Sequence, residues 1–353
     1  MPGAIVENVV PAYAPPKVTG PATKRATRPT NKLPQYLIDE ARVTKREPFH
    51  PKKHLIFEPP KKIHTMKEIG LEGHGISPNA VSEPFPLFNE EAIRQMRAEI
   101  FSDEAMEHCQ YTSSFTKNMI RGLGPARAPF IYDAWRSPEV LSKISEVAGI
   151  DLVPVFDFDI GNINVSINDQ AEEIVPAKKL AENDISTFAW HYDSFPFVCV
   201  MMLSDCTDMV GGETMLRTAS GELMKARGPS MGTAVVMQGR YIEHQALKAY
   251  GGRERITMVT SLRPRSPFIR DESVLTGVRG ISDLSEIYGQ YSEYRLEILE
   301  ERVRARLNVE RRRQLGKRSF DVQNMRDFLT EQKQFIEAML EEIYEVEDDD
   351  SGN

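Results

Sequence analysis

The stretch from Asp151 to Arg265 constrains the fold most, because its apolar residues come in short runs that Gly, Asp, Ser and Pro interrupt. Runs of this length and spacing predict β-strands. The predicted strands are Val153 to Asn164, Phe197 to Leu203, Gly232 to Met237 and Arg255 to Leu262. The run Phe197 to Leu203 is apolar at every position, as expected of a central strand that is buried on both faces. Several such strands indicate a sandwich or barrel, and a jelly roll in particular.

Helical patterns flank this strand-rich region on both sides. Asn89 can cap a helix from Phe88 to Phe101, and Ser137 followed by Pro138 opens another. After Ser282 two apolar stripes predict long helices, the second of which is expected to pack its wide stripe against the sheet rather than against a partner. The predicted fold class is α+β, with a double-stranded β-helix (jelly-roll) core flanked by N- and C-terminal helices.

Four regions are expected along the chain. They are an extended Pro-rich and basic N-terminal arm (1–87), a helical flank (88–150), the jelly-roll core (151–266) and a C-terminal helical region with an acidic tail (267–353). The C-terminal helices are the candidate contact for a homodimer, although the sequence leaves the oligomeric state open.

The N-terminal arm concentrates Lys and Arg between Lys17 and Lys67. The whole chain, in contrast, carries 52 acidic and 44 basic residues and a net charge of −8. An arm that binds phosphate or RNA is one interpretation. We expect instead that the arm lies on the acidic remainder of its own chain and that nucleic acid is not a partner.

Other motifs that would place the chain in a different class are missing from the sequence. No run approaches the roughly 18 consecutive apolar residues that a membrane helix needs, and we expect no secretory signal. The three cysteines Cys109, Cys199 and Cys206 form no CxxC pair, which argues against a zinc knuckle or thioredoxin-type motif. No nucleotide-binding glycine motif occurs. A reducing, cytoplasmic setting is expected.

A short polar motif, Trp190-His191-Tyr192-Asp193, stands at the edge of the strand region. Residues i and i+2 of an extended segment point the same way, so His191 and Asp193 would present an imidazole and a carboxylate to one point. His244 follows another apolar strand. Two histidines and one carboxylate form the facial triad of non-haem Fe(II) oxygenases. Each residue alone could be a turn former or a core histidine, but their order and spacing together favour a metal site.

Arg255 and Thr257 share one face of the next predicted strand. A guanidinium beside a hydroxyl suits a carboxylate, which the guanidinium can bind through two parallel hydrogen bonds. Because an unpaired buried charge is costly, an Arg inside a barrel needs a partner, and a dicarboxylate cosubstrate would supply one. Arg253 competes for this role from the same face. Alternatively, Arg255 could pair with Glu254 or Glu243 at the surface.

With these motifs the chain from about Asn162 to Pro264 resembles the Fe(II)/2-oxoglutarate-dependent dioxygenases. The resemblance is carried by His191-Tyr192-Asp193, Gly211-Gly212-Glu213-Thr214, Gly232 to Val236, His244 and Arg253-Glu254-Arg255-Ile256-Thr257. The whole-chain pattern is similar to a fungal group of such oxygenases, some of which oxidise small amino acids in secondary metabolism.

The resemblance implies roles for the matching residues. His191, Asp193 and His244 would hold Fe(II), and Arg255 with Thr257 would bind the distal carboxylate of 2-oxoglutarate. It also implies a small-molecule substrate, an amino acid or secondary-metabolite intermediate, and O2 as co-reactant. Hydrogen abstraction from that substrate would accompany the decarboxylation of 2-oxoglutarate to succinate.

Three further residues are candidates for substrate binding. Asn162 and Asn164 lie one residue apart on an inner-looking strand, although asparagines bonded to the backbone are as common there. Arg240 shares a face with His244 if their strand is regular, and could anchor a substrate carboxylate.

Two other functions stay open at the level of sequence. An isopenicillin-N-synthase-like Fe(II) oxidase would use the Arg-x-Thr pair for the substrate's own carboxylate and would not use 2-oxoglutarate. A non-enzymatic β-sandwich binding module would use the arm and the C-terminal helices to recognise a partner. The sequence fixes neither the substrate nor the choice among hydroxylation, desaturation and cyclisation.

Overall fold

A computed structural model describes residues 14–20, 25–114, 116–167, 190–207, 209–226, 230–250 and 252–346. Within these ranges α-helices are combined with antiparallel sheets, in agreement with the predicted α+β class. The first residues of the predicted arm and most of the predicted acidic tail lie outside the described residues.

Most of the described strands belong to one large antiparallel sheet, and the others form two smaller sheets. In chain order the described strands are β1 (Ile63–Thr65), β2 (Asn79–Ser82), β3 (Phe85–Pro86), β4 (Gln110–Tyr111), β5 (Met119–Ile120), β6 (Leu152–Pro154), β7 (Asn162–Ile167), β8 (Phe197–Met202), β9 (Val210–Gly211), β10 (Thr214–Arg217), β11 (Leu223–Ala226), β12 (Thr233–Met237), β13 (His244–Ala246), β14 (Ala249–Tyr250) and β15 (Glu254–Pro264).

The main sheet follows the order β1-β2-β12-β8-β15-β7-β5-β4, with β3 paired to β12 and β6 to β15. The remaining strands form a three-stranded sheet, β11-β10-β13, and the pair β14-β9. The apolar strand β8 lies between β12 and β15, which confirms its predicted central position.

Successive residues of β15 face the main apolar core and a cavity in turn. Ile256, Met258 and Leu262 belong to the main apolar core, where Trp135 donates from Nε1 to the Met258 sulfur at 3.2 Å. The intervening residues line a cavity on the other face, and they are Arg255, Thr257, Val259 and Ser261. This separation follows from the two-residue period of a strand.

The prediction of one strand from Val153 to Asn164 is wrong. A 3-10 turn at Asp157–Asp159 separates β6 from β7, and Gly161 follows with a φ of 67°. Aspartates and a left-handed glycine are turn residues, and here they outweigh the apolar pattern around them. The break brings Asp159 to the wall of the cavity.

The described helices are α1 (Gln35–Glu40), α2 (Pro51–His54), α3 (Glu90–Ile100), α4 (Asp103–His108), α5 (Gly124–Arg127), α6 (Pro129–Arg136), α7 (Pro138–Ala148), α8 (Leu284–Leu315) and α9 (Val322–Glu342). The Asn89 side chain accepts from the Ala92 N–H at the start of α3, and Ser137 caps α7, so both predicted caps are confirmed. The left-handed Gly149 ends α7.

The wide stripe of α9 is only partly buried. Phe335 and Met339 lie in an apolar cluster with Tyr291 of α8, and the Arg295 guanidinium of α8 lies 3.8 Å from the centre of the Phe335 ring. Leu340, on the same helix, is exposed. The prediction that the apolar stripe packs against the sheet is therefore wrong for Leu340.

The described part of the arm lies on the rest of the chain. Arg28 donates to the carbonyls of His108 (2.6 Å) and Gln110 (2.9 Å), while Leu37 and Phe49 are buried in the main core. These contacts agree with the expected position of the arm, and the absence of nucleic-acid binding stays a prediction. None of the helices in the described ranges is long and apolar enough to cross a membrane.

Candidate metal centre

Three ligand-type side chains meet at one point of the cavity. The ligand atoms of His191, Asp193 and His244 all lie within 4.8 Å of one another. The Asp193 Oδ1 atom is 3.5 Å from Nε2 of His191 and 3.6 Å from Nε2 of His244. Two imidazole nitrogens and one carboxylate oxygen suit a first-row divalent metal such as Fe(II).

Backbone pairing brings these residues together across a long stretch of sequence. His191 and His244 exchange two backbone hydrogen bonds of 3.0 Å, and the Asp193 N–H donates to the Gly239 carbonyl at 2.9 Å. A Cβ on Gly239 would lie 1.7 Å from Asp193 Oδ2, so only glycine fits there. The turn after β12 therefore holds the carboxylate beside the two imidazoles.

The His244 ring is oriented for metal binding. Its Nδ1 atom is 2.9 Å from the Ile242 carbonyl, which accepts a hydrogen bond when that nitrogen carries the proton. The other nitrogen, Nε2, then presents its lone pair towards Asp193. Burial lowers the pKa of His244 to about 4, so the imidazole is neutral near pH 7. Burial opposes ionisation of Asp193, but the two imidazoles outweigh it and its pKa is lowered.

Arg255 lines the same cavity. Its Nη2 atom donates to the Gly212 carbonyl at 3.2 Å, and its Nε atom is shielded from solvent without a hydrogen-bond partner among the described residues. Burial lowers the pKa of Arg255 from its usual value. No ion pair joins it to a carboxylate of the described residues, so the side chain can accept an anionic ligand. Thr257 is buried beside it on the cavity face.

Arg253, the alternative to Arg255 for binding the cosubstrate carboxylate, pairs with carboxylates outside the cavity. Arg253 pairs with Glu40 and Glu254, and its guanidinium lies 4.1 Å from the centre of the Tyr36 ring. Arg253 stands just before β15, where it contacts the arm rather than the cavity.

Among the substrate candidates, the structure separates the asparagines from the arginine. Asn162 and Asn164 both line the cavity. Arg240 does not, because β12 ends at Met237 and the next residues form a turn instead of continuing the strand. The Arg240 guanidinium donates to the carbonyls of Glu272 and Pro16 and ties the arm to the body. The predicted common face with His244 is therefore wrong.

Sequence analysis missed a polar cluster on the cavity wall. Arg121 donates from Nη2 to Asp159 Oδ1 at 2.7 Å, and Asn162 Nδ2 donates to the same oxygen at 2.7 Å. Thr116 also lines the cavity. Arg121 and Thr116 belong to no motif, and Asp159 was placed inside a strand. The one available signal was the pair of aspartates before Gly161, which marks a turn.

No family model matches the chain, and a search of curated proteins found no match. Similar solved structures include the epimerase SnoN in complex with Fe3+, alpha ketoglutarate and nogalamycin RO. Its identity is 13% and its TM-score 0.39, and the match covers 55% of this chain and 81% of that chain. Another is HygX from Streptomyces hygroscopicus with nickel, 2-oxoglutarate and hygromycin B bound (13% identity, TM-score 0.34, covering 53% and 83%).

A third similar structure is an oxidoreductase of the 2OG-Fe(II) oxygenase family from Burkholderia pseudomallei. Its identity is 14% and its TM-score 0.31, and the match covers 41% of this chain. The present chain covers 65% of that protein, slightly less than two thirds. The function proposed below rests on the residues of the cavity.

Proposed function

We propose that the protein is a non-haem Fe(II)/2-oxoglutarate-dependent oxygenase that oxidises a small molecule on a double-stranded β-helix core. One observation carries the proposal. Two imidazoles and a carboxylate converge in a cavity whose wall also holds a guanidinium without an acidic partner among the described residues. The metal donors alone would suit several divalent ions, whereas the guanidinium adds recognition of a carboxylate.

In this proposal His191, Asp193 and His244 hold Fe(II) and leave coordination positions for a cosubstrate and O2. The bound iron with 2-oxoglutarate supplies O2 activation that is coupled to the release of succinate. The Ile242 carbonyl keeps the proton of His244 on Nδ1, away from the metal. The chain itself therefore fixes the ligand geometry before the metal binds.

Arg255 binds the distal carboxylate of 2-oxoglutarate in this proposal, with the Thr257 hydroxyl beside it. The cavity has a volume of about 220 Å³, and the side chains of Val198, Val200 and Val259 make part of its wall apolar. Apolar walls keep water away from the reacting groups, which strengthens the charged contact to Arg255 and protects reactive species.

Anaerobic titration of the purified protein with Fe(II), with and without 2-oxoglutarate, tests this function. We expect stoichiometric Fe(II) binding and a weak visible charge-transfer band that needs both components. The variant His191→Ala should lose both. His64→Ala is a matched control, because His64 lies on β1 and does not line the cavity.

Turnover is tested by succinate release in air with a panel of amino acids and other small carboxylates. At least one panel member should raise succinate release well above the rate without substrate. A protein that binds no Fe(II) contradicts the proposal and favours a binding module. Fe(II) binding with O2 consumption that is independent of 2-oxoglutarate favours the isopenicillin-N-synthase-like alternative.

A further inference from the structure

The polar cluster of Arg121, Asp159 and Asn162 offers hydrogen-bond acceptors on the wall of the cavity. The three side chains are 7%, 1% and 5% exposed. The donors from Arg121 and Asn162 both meet the Oδ1 atom of Asp159. Asp159 Oδ2 and Asn162 Oδ1 have no hydrogen-bond partner among the described residues. A buried oxygen without a partner is costly, so a ligand that completes these bonds would bind favourably.

The chemistry of the cluster determines what such a ligand must carry. An ionised carboxylate only accepts hydrogen bonds, so the amide nitrogen of Asn162 must face Asp159, and the amide oxygen is left for another partner. The charge of Arg121 is balanced by Asp159. The remaining groups therefore select a hydrogen-bond donor and do not favour a second carboxylate.

The strand register separates this cluster from Arg255. Asn162 pairs with Val259, whereas Arg255 pairs with Ser166. The two positions are four residues apart along β15, or roughly 14 Å at the usual rise of an antiparallel strand. The cavity thus has a guanidinium towards one end of β15 and an acceptor cluster further along the strand, so that the two can contact different groups.

The metal donors line the same cavity as the acceptor cluster. His191, Asp193 and His244 border this cavity together with Asp159 and Asn162. A molecule bound by Asn162 can therefore extend towards the metal donors within one cavity.

We propose that the cluster of Arg121, Asp159 and Asn162 binds an amino or hydroxyl group of the substrate. The inference rests on the proposed function and names the substrate class for that site: small molecules with a hydrogen-bond donor near the oxidised position. The cosubstrate carboxylate binds at Arg255, and the substrate's donor group binds at the acceptor cluster.

Paired probe compounds test the inference with the full chain. The panel consists of small amines and alcohols, each matched with an analogue that has neither an amino nor a hydroxyl group, such as 6-aminohexanoate with hexanoate and 4-hydroxyphenylacetate with phenylacetate. The readouts are probe-dependent succinate release and the change that each probe causes in the anaerobic Fe(II)–2-oxoglutarate band. We expect the donor-bearing member of an active pair to have a KM lower by at least ~10-fold.

Asn162→Ala should remove most of this preference by raising the KM of the donor-bearing probe. The KM of its analogue and the affinity for 2-oxoglutarate should change little. Asn162→Leu, which is close to asparagine in shape and also removes the amide, gives a second test with an effect in the same direction. A purely structural role of Asn162 would instead weaken both members of a pair equally.

The outcomes distinguish this inference from the proposed function. An intact band together with equal KM values within pairs, or with no donor-bearing probe acting, overturns only the inference. Unchanged discrimination in Asn162→Ala overturns it as well. A wild-type protein that shows no band overturns the proposed function and the inference with it.

Discussion

The two faces of β15 show how one strand serves two opposite purposes. On one face, Ile256, Met258 and Leu262 are fully buried in the main apolar core, where Met258 contacts Trp135 of α6. On the other face, Arg255 and Thr257 line a cavity. The apolar face contributes stability through burial and close packing. The cavity face carries polar groups whose partners would be ligands, which is costly for folding and useful for binding.

Because the two faces have different surroundings, substitutions on them should affect different properties of the protein. A change on the core face should lower the free energy of unfolding and leave ligand affinity nearly intact until the protein unfolds. A change on the cavity face should weaken ligand affinity and leave the free energy of unfolding nearly intact. A substitution on one face that has the effect expected of the other face would contradict this distinction.

The largest effect is expected at the metal donors. His191→Ala, Asp193→Ala and His244→Ala should each lower Fe(II) affinity by at least ~100-fold and abolish turnover, because each removes one of three ligands. The fold should persist, since these side chains border a cavity rather than fill the core. Iron content after gel filtration and far-ultraviolet circular dichroism measure the two properties. Near-normal oxygen activation in any of the three variants would contradict the ligand assignment.

On the core face, Met258→Ala should cost roughly 2–5 kcal/mol of unfolding free energy, as expected for a buried Met truncated next to a large neighbour. Met258 is fully buried and contacts Trp135 through its sulfur. Urea unfolding measures the loss. The affinity for 2-oxoglutarate, measured well below the unfolding midpoint, should stay within ~3-fold of wild type, and a larger change would show that the two faces are coupled.

The carboxyl group of Glu99, a buried residue of α3, should make the free energy of unfolding depend on pH. Glu99 accepts hydrogen bonds from the N–H groups of Phe130 and Ile131 at the start of α6, and burial raises its pKa to about 7. Because the folded state holds the proton more tightly than the unfolded state, stability should fall as pH rises from about 4.5 to about 7, by on the order of 3 kcal/mol.

Glu99→Gln removes that titration, so its urea-unfolding free energy should lack this part of the decline between pH 4.5 and 7. The difference between wild type and variant should be constant above pH 7. Identical pH profiles for the two proteins would show that folding does not raise the pKa of Glu99.

On the cavity face, Arg255→Ala should raise the apparent KM for 2-oxoglutarate by at least ~30-fold, because the loss of a buried charged partner typically costs ~2–5 kcal/mol. Arg255→Lys should not restore the affinity, since an ammonium cannot form the paired bonds of a guanidinium. Arg253→Ala is the matched control, because its side chain binds Glu40 on the arm. It should leave this KM unchanged.

Two outcomes would alter the assignment of Arg255. If Arg255→Ala spares 2-oxoglutarate affinity and destroys substrate binding, the isopenicillin-N-synthase-like alternative is favoured. If Arg253→Ala instead causes the large cosubstrate defect, the register inferred for this strand is wrong by two residues.

The regular parts of this fold could be predicted from sequence because local patterns determine them. The caps at Asn89 and Ser137 and the apolar run of β8 are signals confined to a few residues. Likewise the HxD motif, His244 and the Arg-x-Thr pair each lie on a short extended segment where the two-residue period fixes the common face.

The parts that sequence missed depend on contacts between distant segments. Arg240 leaves the cavity because a turn, and a bond to Pro16 from the arm, override the expected alternation. Arg121 and Asp159 meet across 38 residues, and each is unremarkable in its own neighbourhood. Pairing of this kind is set by tertiary packing, which a single sequence does not display.

The smallest effect gives the sharpest comparison, because β15 carries a buried threonine on each face. Thr257 lines the cavity, whereas the Thr260 hydroxyl accepts the N–H of Gly161 at 3.0 Å inside the structure. Valine keeps the shape of threonine and removes the hydroxyl, so the two variants differ only in which hydrogen bond they lose.

Thr260→Val leaves the Gly161 N–H without its partner and should cost roughly 1–3 kcal/mol of unfolding free energy, with 2-oxoglutarate affinity unchanged. Thr257→Val should cost little stability and raise the KM for 2-oxoglutarate by about 2- to 10-fold, as expected for the net loss of one hydrogen bond. Urea unfolding and cosubstrate titration of both variants measure the two effects. If Thr257→Val instead destabilises the protein and leaves the KM unchanged, its hydroxyl serves the fold, and Arg255 must bind the cosubstrate carboxylate without it.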